Sequence, residues 1–243
     1  MLNQINAEWT KLRTTRSFWV LTIVALVLSL LYGILIGWSS TFGAMPYAPL
    51  MTVSIVALTL SIITMVQSAM MVTTEYRFGM ASTNFRIVPK RWQLAVAKVL
   101  LGAVLAFVIG LVSMVLALIA GDLTANVPAN WATNNFTQRS LWAVPLGQAL
   151  IVVLTQGVGW LVRNTAGTIV VGLGLLLVVE NVVRILPKIG EKVSEYMPFG
   201  NLMSFMLNQP GPHEQLGVSL AIFCAWSAVL WAVGVAVLHK RDA

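Results

Sequence analysis

Charge is what this sequence has least of. Acids and bases together make up 9% of its 243 residues, against about 25% in an ordinary soluble domain, so the chain cannot cover a water-facing globular surface. Cysteine occurs once, at Cys224 inside a long apolar run, which excludes a disulfide framework and a thiolate metal site. No Gly-Lys dipeptide is present. The G-x-x-x-x-G-K-[ST] phosphate loop is therefore missing, and with it ATP hydrolysis by that route. The two histidines, His213 and His239, stand in a Pro/Gly-rich loop and at the end of the last apolar run, so they cannot face each other across helices to hold haem. Neither H-E-x-x-H nor G-x-S-x-G occurs, which removes the commonest zinc and serine hydrolase signatures.

What is abundant is hydrocarbon. Hydrophobic residues make up 58% of the chain and the mean hydropathy is +0.85, the composition of an integral membrane protein. The net charge of +7 would suggest nucleic acid in a soluble domain. Here the bases flank apolar runs, so they read as topology signals and lipid contacts, with no nucleic acid expected.

The charge-free stretches predict an all-α polytopic membrane protein, a single transmembrane domain over 1–243 with six spans. Residues 17–74 hold no Asp, Glu, Lys or Arg, far more than the roughly 20 residues that cross a bilayer. Gly43, Pro46 and Pro49 divide them into spans at about 18–38 and 51–72. Further spans fall at about 97–120, 141–162, 166–186 and 216–238, the fifth carrying Glu180 and Arg184. The apolar core of the first span, about 21 residues, exceeds a signal-peptide core of about 7–15, and no cleavage site follows promptly. It is expected to be retained.

Six spans put both termini on one side. Eleven bases lie on that side, five of them in 73–98 (Arg77, Arg86, Lys90, Arg91, Lys98), against Arg139, Arg184, Lys188 and Lys192 on the other. The imbalance predicts cytoplasmic termini and a cytoplasmic 73–98 loop. Residues 1–16 carry an apolar stripe at Leu2, Ile5, Trp9 and Leu12, the pattern of an interfacial helix. Within TTEYRFGM (73–80) a topology signal needs only bases, yet Glu75, Tyr76, Phe78 and Gly79 accompany Arg77. Thr73 or Thr74 could cap a short helix beginning near Glu75, and a surface so equipped is expected to meet a partner. Glu180 and Arg184 are four apart on one helix face, a gating or structural pair. Gly33 and Gly37 form a small-x-x-x-small pattern that permits close helix packing, within the chain or between subunits. Residues 187–214 have apolar side chains at helical spacing on both sides of Pro198.

EWTKLRTTRSFW (8–19), then TTEYRFGM…IVPKRWQLAVAK (73–98), then YMPFGNLMSF (196–205) together resemble the type-2 permeases of ATP-binding-cassette exporters, in particular actinobacterial ones. The resemblance runs over essentially the whole chain. It implies a coupling helix after span two that docks on a separate cytoplasmic ATPase, carried by position onto Glu75, Tyr76, Arg77, Phe78 and Gly79. It also implies a re-entrant segment before span six. On this reading the chain holds no cofactor and is no enzyme; ATP and Mg belong to the partner ATPase. A homodimer or a pair with a paralogous permease would complete the conduit in a bacterial cell membrane, with export the expected direction. A membrane scaffold or assembly subunit is the alternative, and an ion-coupled carrier a weaker one. No motif in the spans names a substrate.

Overall fold

The computed structural model describes residues 2–42, 46–79, 91–211, 213 and 215–240. It is helical throughout the ordered elements. α1 (Leu2–Thr14) precedes α2 (Arg16–Ser39), α3 (Pro49–Arg77), α4 (Arg91–Thr124), α5 (Asn135–Val162) and α6 (Thr165–Ile185). Two short helices, α7 (Gly190–Ser194) and α8 (Pro198–Leu207), lead into α9 (Leu216–Lys240). Six of these, α2 to α6 and α9, are long and apolar enough to cross a membrane. Helix is what such segments must form there, because every backbone N–H and C=O has to be satisfied without water.

α5 is the centre of the bundle: 67% of its apolar window is buried, against 22% for α2, α6 and α9. It packs on α3, α4 and α9. The outer helices keep broad apolar faces exposed, such as Val20, Ile23, Val27 and Leu31 on α2 and Val229 and Val233 on α9, which suits contact with lipid. α2 lies against α4 because Gly33 and Gly37 remove the side chains between them. A Cβ at Gly33 would stand 2.2 Å from the Ala117 carbonyl oxygen, and one at Gly37 would stand 2.3 Å from that of Gly121. The small-x-x-x-small face is thus used within the chain rather than between subunits.

Several helices run further than hydropathy suggests. α3 continues five residues past the expected end of its span, through Glu75 to Arg77. Thr73 and Thr74 do not cap a new helix near Glu75, because their hydroxyls donate to the Ala69 and Met70 carbonyls inside α3. The helix ends instead at Phe78, followed by Gly79 at φ +66°, the left-handed conformation glycine supplies at low cost. The rest of the expected coupling segment, 80–90, lies outside the described residues. α4 begins at Arg91, so Lys98 is two turns inside a helix rather than in a loop. At 34 residues α4 is about 51 Å long, well beyond a hydrocarbon core of roughly 30 Å. α5 and α6 are joined by Arg163 and Asn164 alone. Arg163 takes φ 55°, and the Asn164 side chain accepts the Gly167 N–H as the cap of α6.

Candidate functional site

The scarce charges collect at the end of the bundle where α1 meets α3 and α4. Lys98 is 1% exposed. Its ammonium donates to Glu8 Oε2, to Glu75 Oε1 at 2.9 Å and to the Met71 carbonyl at 3.1 Å. Lys11 closes the group from the water side, 2.6 Å from Glu8 and 3.0 Å from Glu75. Burial lowers the Lys11 pKa, but the two carboxylates outweigh it and hold the ammonium above its ordinary value. Two acids and two bases therefore tie three helices together, each charge facing its opposite.

The contact of α1 with the bundle includes its polar side. Gln4, Glu8 and Lys11 recur at helical spacing, and it is this polar stripe that meets the bundle, with Gln4 Nε2 donating to Gln93 Oε1 at 3.3 Å. Glu8 is buried, while Leu2 of the apolar stripe is 77% exposed. Ile5, Trp9 and Leu12 of the apolar stripe are half-buried.

Beside the cluster, Tyr76 packs edge-on against buried Trp160, with ring centroids 6.3 Å apart, and the Arg163 guanidinium lies 5.1 Å over the Tyr76 ring. Arg77, Phe78 and Gly79 point outward, the Arg77 guanidinium 5.6 Å from the Phe78 ring. A cavity of about 640 Å³ opens between Thr73, Tyr76 and Arg77 on one side and Arg163, Asn164 and Thr165 on the other.

At the opposite end, α8 is held by both its termini. Glu180 accepts the Phe199 and Gly200 N–H groups, both at 2.6 Å, and Arg139 donates to the Phe205 carbonyl at 2.7 Å. A carboxylate at the N-terminus and a guanidinium at the C-terminus both complement the helix dipole. A π turn at Leu175–Val179 immediately precedes Glu180.

The family model described as "ABC-2 family transporter protein" matches residues 4–181, which takes in α1 from Gln4, α2 to α5, and α6 as far as Asn181. The chain belongs to the ABC-2 transporter family. No curated protein matches it. The family is one of membrane transport components, and this ABC-2 protein is a multi-pass membrane protein, with six helices among the described residues long and apolar enough to cross a membrane.

The five residues expected to meet a partner divide between inside and outside. Glu75 is buried and Tyr76 is half-buried, both in contact with other helices of this ABC-2 chain, whereas Arg77, Phe78 and Gly79 are exposed. Glu180 and Arg184 are not joined by an ion pair. Glu180 bonds backbone N–H groups, and both side chains lie against Gly200, where a Cβ would stand 2.7 Å from Arg184 Nη2 and 3.3 Å from Glu180 Oε2. Sequence reasoning missed this cluster by counting Lys11 and Lys98 among the orienting bases and by giving Glu8 no role beyond the polar side of α1. The available clue was scarcity: with eight acids in the chain, a lysine inside an apolar helical run needs one of the few carboxylates on its own side.

Proposed function

We propose that this chain is the permease subunit of an ATP-driven exporter in a bacterial cell membrane, with both termini in the cytoplasm. A separate ATPase subunit carries ATP and Mg and docks at the end of the bundle where α3 terminates. A second copy, or a paralogous permease, completes the conduit. The observation that carries this reading is the tip of α3. Arg77 and Phe78 are exposed, and one turn behind them Glu75 is bonded to Lys98 of α4 and Lys11 of α1. A displacement of the tip by a docked motor is thereby passed to three helices at once, which a free-standing loop could not do. The excess of bases at this end supports the cytoplasmic assignment.

The test is ATP turnover by the ATPase copurified with this chain. Replacing Arg77 by Glu and Phe78 by Ala together removes an arginine and an aromatic, the usual anchors of such interfaces. Association and stimulated turnover are expected to fall about tenfold or more, with the permease itself still folded because both side chains are exposed. Unchanged association and turnover would reject the docking surface.

A further inference from the structure

A second cavity, of about 500 Å³, lies between α1, α2 and α3 and shares Arg77 and Phe78 with the proposed ATPase surface, while Arg16, Phe18, Leu21 and Met70 of its lining lie outside that surface. We propose that it is a binding site for one anionic phospholipid, phosphate at its mouth and the first part of an acyl chain in its depth. Its lining changes character along its length. At the mouth stand the exposed Lys11, Arg16 and Arg77; behind Lys11 lie the buried Glu8, Glu75 and Lys98, and along the rest of the lining come Phe18, Leu21, Met70 and Met71. Four cations against two carboxylates leave a surplus of two positive charges. The carboxylates are occupied by Lys98 and Lys11, whereas no acid among the described residues pairs with Arg16 or Arg77, so these two guanidinium groups are the ones offered to a ligand.

The depth fits an amphiphile. Gln67 closes the inner end, its amide donating to the Phe18 carbonyl and to Thr22 Oγ1 at 3.4 and 3.1 Å. Ten residues separate it from Arg77 on α3, about 15 Å along the helix. The cavity therefore begins beside the start of α2 and the end of α3 and runs along the apolar side chains of both helices. A soluble phosphate would use only the mouth and leave the apolar half empty. An anionic lipid already lying in the bilayer fills both, and Arg binds phosphate through a planar fork of donors.

The test uses the full chain in phosphatidylcholine nanodiscs containing a minor share of phosphatidylglycerol, with the lipid retained per chain after exchange into lipid-free detergent counted by native mass spectrometry. One phosphatidylglycerol per chain is expected to persist in the parent. Arg16→Gln with Arg77→Gln should lower that retention about tenfold or more, converting two charge-assisted contacts into neutral ones. Met70→Trp, which fills the apolar depth without touching a charge, should lower it as well. Arg13→Gln with Lys240→Gln removes two charges outside the cavity and should leave retention intact. Unfolding temperatures measured in phosphatidylcholine alone identify any variant that fails to fold, and the remaining one then decides the question. Equal retention of phosphatidylcholine, loss in the control pair equal to that in the cavity pair, or complete displacement by inorganic phosphate would each overturn the proposal. The measurement requires no ATPase, so its failure and that of the docking surface are separable.

Discussion

Lys98 is the residue on which the α1 end depends, because a buried ammonium is tolerated only when opposite charges and hydrogen bonds satisfy it. Lys98→Met leaves Glu8 and Glu75 buried beside one remaining partner, Lys11, and should destabilise the fold by about 3–5 kcal/mol. Glu75→Gln should also destabilise it, and the double variant should cost about 0.5–3 kcal/mol less than the two single costs added, as expected for groups in direct contact. Unfolding followed by tryptophan fluorescence in detergent checks this; strictly additive costs would mean the cluster is not a unit. Lys11 gives a pH test. Its folded value is raised above 10.5, so its contribution is present in full below 10.5 and is lost as pH rises through the folded value. Attachment of α1, followed by the fluorescence of Trp9 against a chain lacking that tryptophan, should hold from neutral pH to the ordinary lysine value and weaken beyond it. Lys11→Gln should remove that part of the alkaline step. The sequence showed where these charges were but not their partners. Hydropathy treats a lysine as the edge of a span, and the carboxylates that hold Lys98 come from 90 and 23 residues away, beyond the reach of any single segment's periodicity.

At the scale of elements, α8 shows how a short helix is held deep in the bundle. Phe199, Leu202, Phe205 and Met206 are buried, while its terminal N–H and C=O groups meet Glu180 and Arg139. Glu180→Ala leaves two N–H groups without their acceptor, at about 1–3 kcal/mol each. A cysteine at Phe205 in a Cys224→Ser background should resist an aqueous thiol reagent, and one at Gln209 should react quickly. Adding Glu180→Ala should speed the reaction at position 205 while leaving 209 unchanged, and a rate at 205 indifferent to Glu180 would show that the carboxylate does not hold this helix. The apolar spacing around Pro198 was legible in the sequence. The clamp was not, because its acceptor bonds backbone N–H groups that carry no sequence signature, and because a π turn shifts the helical register just ahead of Glu180. Gly33 is the converse case, where the pattern was visible but its partner was not. Gly33→Val should force α2 from α4 and cost about 1–3 kcal/mol in the same unfolding assay.

For the whole molecule, the six helices among the described residues that are long and apolar enough to cross a membrane follow from apolar runs with little or no charge, since a bilayer constrains length and composition more tightly than any other solvent does. Packing order does not follow from them. That α5 is central and α2, α6 and α9 peripheral depends on which apolar faces meet, and in lipid the buried and exposed faces of a span are nearly alike in composition. The central claim is that the exposed tip of α3 is where a nucleotide-hydrolysing subunit acts on this ABC-2 protein. A photoreactive amino acid placed at Phe78, and in a separate variant at Phe42 near the other end of the bundle, tests it in native membranes. The account predicts that position 78 captures a phosphate-loop ATPase and position 42 does not. Capture of no such subunit from position 78, or equal capture from both, would contradict it.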